Sequence, residues 1–156
     1  MKAVVQRVRN ASVSVDSKIT GSIDRGLLVY LGVAASDTEK EAEWMADKVA
    51  NLRIFCDAQG KMNLSILDIL TENVDIKTGV LAVSQFTLLA DARKGRRPYY
   101  GDAAEPEKAN ILYEYFMEQI RTHSIICEAG VFQAKMDVNY TNEGPVTILL
   151  ETGHGS

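Results

Sequence analysis

Ser84, Gln85 and Thr87 stand close together at the C-terminal end of an otherwise apolar run, Val80 to Leu89, which reads Val-Leu-Ala-Val-Ser-Gln-Phe-Thr-Leu-Leu. Two hydroxyls and an amide in such surroundings need partners or a water-filled pocket, because an unpaired polar group is costly to desolvate. A few residues on, Arg93-Lys94-Gly95-Arg96-Arg97 sets four cations in five residues. Most short charge runs only solvate a loop, but this one follows directly from the polar-tipped run and suits contacts to phosphate. The chemistry open to the polar end is narrow. Two scattered histidines, His123 and His154, and two scattered cysteines, Cys56 and Cys127, supply neither a metal cluster nor the base of a Ser-His-Asp arrangement. Glycine fingerprints for nucleotides are absent. A site without a titrating acid or base can still catalyse hydrolysis, by orienting its substrate and offering backbone N–H groups to the developing oxyanion. Thr87 would be a poor nucleophile without a nearby base.

These residues need a rigid support, and the run that carries them supplies it. It is short, β-branched at Val80 and Val83, preceded by Gly79 and followed by a polar segment, so a buried strand over 80–89 is expected. Alternation sends Leu81, Val83, Gln85 and Thr87 to one face and Val80, Ala82, Ser84, Phe86 and Leu88 to the other. Lys2 to Val8 is expected as a first strand, with Arg7 a snorkelling edge residue on this pattern alone. Ala11, Val13 and Val15 alternate with polar residues, and Ile19 and Ile23 continue that face after a turn, as in an antiparallel meander. Gly26 to Val33 reads as a second buried strand. Ser36 and Glu39 have capping-box spacing ahead of a helix whose apolar stripe is Ala42, Met45, Ala46, Val49 and Leu52.

Arg53 to Cys56 reads as a short strand ended by a turn at Asp57-Ala-Gln-Gly60, whereas 62–78 is open between loop and short helical turns. Pro106 suits the first position of a second helix, buried through Ala109, Leu112, Tyr113, Phe116 and Ile120, with His123 near its end. Phe132 to Tyr140 and Val146 to Glu151 read as the strands of a closing hairpin, with Asn142-Glu143-Gly144-Pro145 the turn between them.

With 156 residues, 46% of them hydrophobic, the chain suits one compact domain that buries roughly two-thirds of its unfolded surface. The expected architecture is a single-domain α/β fold over 1–151, with mixed, largely antiparallel sheets, helices packed on one side, and a frayed tail over 152–156. A net charge of −4 argues against coating nucleic acid through bulk positive charge. No run approaches the roughly 20 apolar residues of a membrane span, and the first residues are too polar for a signal peptide. A cytoplasmic protein with no membrane partner is expected. The isolated cysteines read as packed, reduced thiols.

Ser84-Gln85-Phe86-Thr87-Leu88, taken with Asn142-Glu143-Gly144-Pro145-Val146-Thr147, resembles the signature pair of D-aminoacyl-tRNA deacylases. The similarity runs nearly end to end. Met1 to Val8 resembles the family's opening strand and Lys94-Gly95-Arg96-Arg97-Pro98 its basic loop. The chain departs at Glu143, at Tyr99-Tyr100 and at Gln133, where the family more often has Asp, Ser-Phe and Gly.

The resemblance implies hydrolysis of the ester joining a D-amino acid, or glycine mischarged on tRNA-Ala, to tRNA. It implies no cofactor and no metal, and a homodimer with its active sites at the subunit interface. Ser84, Gln85, Phe86 and Thr87 are then the catalytic residues, the Phe86 N–H receiving the ester carbonyl while the terminal adenosine's 2′-hydroxyl helps to activate water. Gly144-Pro145 of one subunit enters the other's pocket in the cis form, holds the α-amino group with its carbonyls and leaves no room for an L side chain. Since only about 5–6% of X-Pro bonds in folded proteins are cis, that isomer is an expectation of the family alone. Arg7 would brace the turn, Asn142 and Met136 complete the substrate-binding set, and Arg93, Lys94, Arg96 and Arg97 hold the tRNA. Two other readings stay open: a domain of the same fold that removes a wrong L-amino acid from tRNA, and a non-catalytic RNA-binding dimer.

Overall fold

A computed structural model describes residues 1–153 of the chain. Its axis is β1 (Lys2–Val15), a strand of 14 residues. One edge of β1 pairs antiparallel with β2 (Lys18–Ile23) over its second half and with β3 (Arg25–Gly32) over its first. The strands expected over Lys2 to Val8 and from Ala11 onwards are therefore halves of one. Arg9 and Asn10, both exposed, sit at a register irregularity that bends the strand without ending it. A second irregularity, between Val13 and Ser14, reverses the alternation beyond it. Ala11, Val13 and Ile23 are buried as expected, but Ile19 is 69% exposed.

Next come α1 (Glu39–Asn51), the hairpin of β4 (Phe55–Cys56) and β5 (Met62–Leu64), and the single turn α2 (Ile66–Ile69). The cap of α1 is Thr38, whose N–H donates to Glu41 Oε2 at 2.7 Å, and not the Ser36 and Glu39 pair. Asp37 fixes that choice. It is buried, accepting from the Met1 ammonium at 2.6 Å and from Ala34 N–H at 2.6 Å, so the residues before Thr38 form a turn. Ala42, Met45, Ala46 and Val49 are buried on the expected stripe, with Leu52 partly buried after the helix end.

Then follow β6 (Thr78–Ser84), a 3-10 turn over Phe86–Leu89, α3 (Pro106–Thr122), β7 (Ile126–Ala129) and β8 (Asp137–Glu151). The buried face of α3 and its N-terminal proline are as expected. β6 lies parallel to β3 on one side and to β7 on the other, and β8 runs antiparallel along the second edge of β1. The sheet is mixed and largely antiparallel. On one face Ala3, Val5, Leu27, Val29, Val80 and Ala82 pack against α1 and α3. On the other the sheet curls onto itself, enclosing Val8, Val13, Leu28, Leu81 and Val83. That is why β6 is apolar on both sides.

Two expectations fail near the C-terminus. Phe132 to Ala134 form a turn and Lys135 and Met136 stay outside any strand, and no hairpin closes at Asn142 to Pro145. β8 continues through those residues because both its halves pair with β1 rather than with each other. Of the tail expected to fray, Thr152 is tied down, its N–H donating to Met1 O at 2.9 Å, and residues 154–156, including His154, lie outside the described residues.

Candidate active site

β6 ends where its neighbour ends. Its last pairing is Ser84 with Leu31, after which the Gln85 N–H donates to Leu31 O at 2.8 Å. With no strand left to pair, the chain winds into the 3-10 turn, Leu88 N–H reaching Gln85 O at 3.3 Å and Ala90 N–H reaching Thr87 O at 3.1 Å. Gly32 makes room for it, since a Cβ there would meet Gln85 O at 3.0 Å and Leu88 Cβ at 3.1 Å. The strand expected over 80–89 therefore stops at Ser84, and the alternation does not govern Gln85 to Leu88. One consequence is chemical. The first N–H groups of the turn, at Phe86 and Thr87, have no acceptor within it and no side-chain cap.

This turn forms one wall of a cleft of about 540 Å³. Ser84, Gln85, Phe86 and Met136 line it, as do the Ala103–Pro106 segment leading into α3 and the Phe132–Ala134 turn. Phe132 is held by the ring of Tyr113, stacked at 6.3 Å. Tyr113 Oη donates to Ala82 O at 2.7 Å, and burial raises its pKa above the usual phenol range, which keeps that donor protonated. Gln133 adopts φ 64°, a left-handed conformation uncommon for a residue with a side chain. Phe86 meets Tyr100 edge to face at 5.2 Å. Thr87 is absent from the cleft walls, and its hydroxyl accepts a hydrogen bond from Gln85 Nε2. No histidine or cysteine lines the cleft, and Glu105 is its one acidic residue. Among the described residues no cluster could hold a metal.

Gly144, Pro145, Asn142 and Arg7 are elsewhere on the same chain. Gln6 pairs with Thr147 and Val8 with Asn142, so the single residue Arg7 faces four residues, 143–146. Those four bulge from β8, with Gly144 and Pro145 exposed, φ 118° at Gly144, and a cis peptide bond between the two. Asn142 closes the neck of the bulge. Its Nδ2 donates to Arg7 O at 3.1 Å and to Val146 O at 3.0 Å, while its Oδ1 accepts from Gln6 Nε2 at 3.2 Å and Thr147 Oγ1 at 3.3 Å. Arg7 is no snorkelling edge residue. It is 7% exposed and donates from Nη1 to Ile54 O at 2.7 Å. Its Nη2 lies 3.1 Å from where a Cβ on Gly144 would stand.

Arg93, Lys94, Arg96 and Arg97 share an exposed loop whose ends are joined, Asp91 N–H to Tyr99 O at 2.8 Å and Tyr99 N–H to Asp91 O at 2.9 Å. Arg93 spends its charge within the loop, its Nε 2.9 Å from Asp91 Oδ1 and its Nη2 2.7 Å from Oδ2. Those hydrogen bonds hold the Asp91 carboxyl well below the usual carboxylate range. Lys94, Arg96 and Arg97 make no ion pair among the described residues. Sequence reasoning had not assigned Tyr100, Phe132, Gln133 or Glu105 to a site. The aromatic pair after the basic loop was the available signal.

A family model described as D-Tyr-tRNA(Tyr) deacylase matches residues 4–151. The chain is 57% identical over 152 residues to the D-aminoacyl-tRNA deacylase of Koribacter versatilis and 56% identical over 153 residues to that of Thermosipho melanesiensis, covering 97% of each and 97% of itself. Among solved structures, one titled c-Myc DNA Unwinding Element Binding Protein superposes with a TM-score of 0.88 at 41% identity, over 98% of this chain and 99% of that one. Another, titled as a probable eukaryotic D-amino acid tRNA deacylase, superposes with a TM-score of 0.78 at 15% identity, over 96% and 97% of the two chains, and shares the fold.

Proposed function

The chain belongs to the D-Tyr-tRNA(Tyr) deacylase family and is a D-aminoacyl-tRNA deacylase, and from that premise we propose that two copies of it make one working site. It hydrolyses the ester between a D-amino acid and tRNA, releasing both. The ester carbonyl lies at the Phe86 N–H, which has no partner within its turn and so is available to the tetrahedral oxyanion. Ser84 and Gln85 flank it, and Met136, which lines the same cleft, contacts the substrate. Water attacks the carbonyl with help from the terminal adenosine's 2′-hydroxyl, and the 3′-oxygen leaves. Thr87 positions Gln85 rather than attacking. No cofactor takes part.

The carrying observation is that the cleft is lined by Ser84, Gln85 and Phe86 but not by the Gly144-Pro145 bulge, which projects from the same chain outside it. A second copy supplies that bulge. Its carbonyls take the α-amino group and its bulk excludes L side chains, while glycine, lacking a side chain, is accepted as well. Arg7 and Asn142 hold the bulge in shape, and Arg93, Lys94, Arg96 and Arg97 receive the tRNA backbone. No helix of the described residues is long and apolar enough to cross a membrane, and the reading assigns the enzyme to the cytoplasm.

Paired D- and L-tyrosyl-tRNA test this reading, together with the mass of the protein in solution. Hydrolysis of the D-ester alone by a protein of dimer mass is expected. Hydrolysis of the L-ester with the D-ester spared, or full activity in a monomer, would sink it.

A further inference from the structure

Between the cleft and the basic loop the surface carries aromatic rings that the reaction at the ester does not use. Tyr99 is 66% exposed, yet its backbone is fixed by two hydrogen bonds to Asp91. Its ring is seated as well: a Cβ on Gly101 would collide with the Tyr99 phenol oxygen and ring. Beside it Tyr100 meets Phe86, 56% exposed, at the cleft. On the other side of Tyr99 is a hollow of about 660 Å³ lined by Asp91, Arg93, Lys94 and Tyr99. Single exposed aromatics need no explanation. A seated ring between a substrate cleft and a basic loop has the two components of a single-strand binding surface, a π-face for a base and positive charge for its phosphates.

We propose that Tyr99 is a stacking platform for the unpaired nucleotide that precedes the terminal adenosine of the acceptor strand, with Lys94 holding the adjoining phosphate. The inference rests on the reading of the cleft as the ester site. It assigns Tyr99 a positioning role. By fixing the strand one nucleotide before the reacting end, the ring restricts how the terminal adenosine enters the cleft. Arg93 contributes less than its neighbours, because Asp91 already neutralises it.

Two substrates separate this from the ester chemistry: D-tyrosyl-tRNA, and the D-tyrosyl ester of adenosine alone, which lacks the preceding nucleotide. Tyr99→Ser is expected to raise KM for the tRNA roughly 5- to 100-fold, the range that losing one stacked base gives, with kcat changed less than about 2-fold. The preference for tRNA over the nucleoside ester narrows by the same factor. Tyr99→Phe keeps the ring and the preference, and Gly101→Ala, which pushes the ring aside without removing it, falls between. In parallel, 2-aminopurine in place of the preceding nucleotide of an uncharged acceptor hairpin should be quenched by the wild type and not by Tyr99→Ser. An unchanged preference in a folded Tyr99→Ser protein, or no quenching by the wild type, overturns the platform. If the wild type hydrolyses neither D-ester, the reading of the site has failed, and the quenching experiment still decides for or against Tyr99.

Discussion

The backbone carbonyl of Arg7 accepts a hydrogen bond from the side chain of Asn142 at 3.1 Å, at the point where β8 leaves its ladder with β1. A backbone N–H from β8 would normally occupy that acceptor. Because residues 143–146 loop outwards, it would otherwise be orphaned, and the Asn142 amide replaces the missing rung while its other bonds hold Val146 and Thr147.

Asn142→Ala should therefore cost about 1–3 kcal/mol of stability, the usual penalty for leaving a partly buried acceptor unpaired. Asn142→Asp should fare no better, since it removes the donor to Arg7 O. Urea unfolding reads the stability, and kcat/KM on D-tyrosyl-tRNA should fall in both variants. Stability and activity at wild-type level in either variant would show that the bulge holds itself.

Gly144 and Thr87 should respond very differently to alanine. A Cβ on Gly144 would lie 2.8 Å from Val146 N and 3.1 Å from Arg7 Nη2, on a backbone with φ 118° that side chains rarely tolerate. Gly144→Ala is expected to lower kcat/KM by about 100-fold or more, as misplacement of a positioning group does. Thr87→Ala, which removes the hydroxyl held by Gln85 together with the γ-methyl, should cost less than about 10-fold, below the range typical of a lost general acid or base. Comparable losses in single-turnover assays would instead favour Thr87 as the nucleophile.

Arg7 separates stability from activity. Its guanidinium is buried with a single strong acceptor, Ile54 O, and its Nε has no partner. A buried cation so sparsely paired adds little stability against an apolar residue of similar length. Arg7→Met is expected to unfold within about 1 kcal/mol of the wild type, while deacylation drops at least 10-fold because nothing braces Gly144. Denaturant titration alongside kinetics checks both, and a large loss of stability would contradict the account.

Alkaline pH should destabilise the fold through two groups that burial holds neutral. Burial pushes the Cys127 thiol up to about 12 from 9.0 and the Tyr30 phenol up to about 12 from 10.0, the latter aided by Tyr140. Both are held neutral when folded, so the unfolded chain loses these protons first. Their contribution is complete below pH 9 and declines as pH rises from 9 towards 12. For Cys127 the whole window is worth about 4 kcal/mol. Cys127→Ala should flatten the fall in unfolding free energy between pH 9 and 10, and an unchanged slope would count against it.

Part of the candidate site's arrangement was legible in the sequence. Ser84, Gln85, Phe86 and Met136 do meet in one cleft, and Arg7 does lie against Gly144. The two long helices were legible too, because a 3.6-residue stripe such as Ala109, Leu112, Tyr113, Phe116 and Ile120 is a local pattern. Less was readable at strand ends. Whether Gln85 to Leu88 stay extended depends on where β3 stops, more than fifty residues away in the chain.

By itself the sequence determined the chemical inventory: a polar motif without a base, a Gly-Pro motif, a basic loop, and family membership through residues that match in order. Tertiary structure alone decided how these are distributed. Asn142 to Pro145 has the composition of a turn, and only the free edge of β1 turns it into a bulge on a continuous strand, because β pairing is satisfied by whichever partner the fold brings alongside. The same edge carries Gly144 and Pro145 out into solvent, away from the cleft of their own chain.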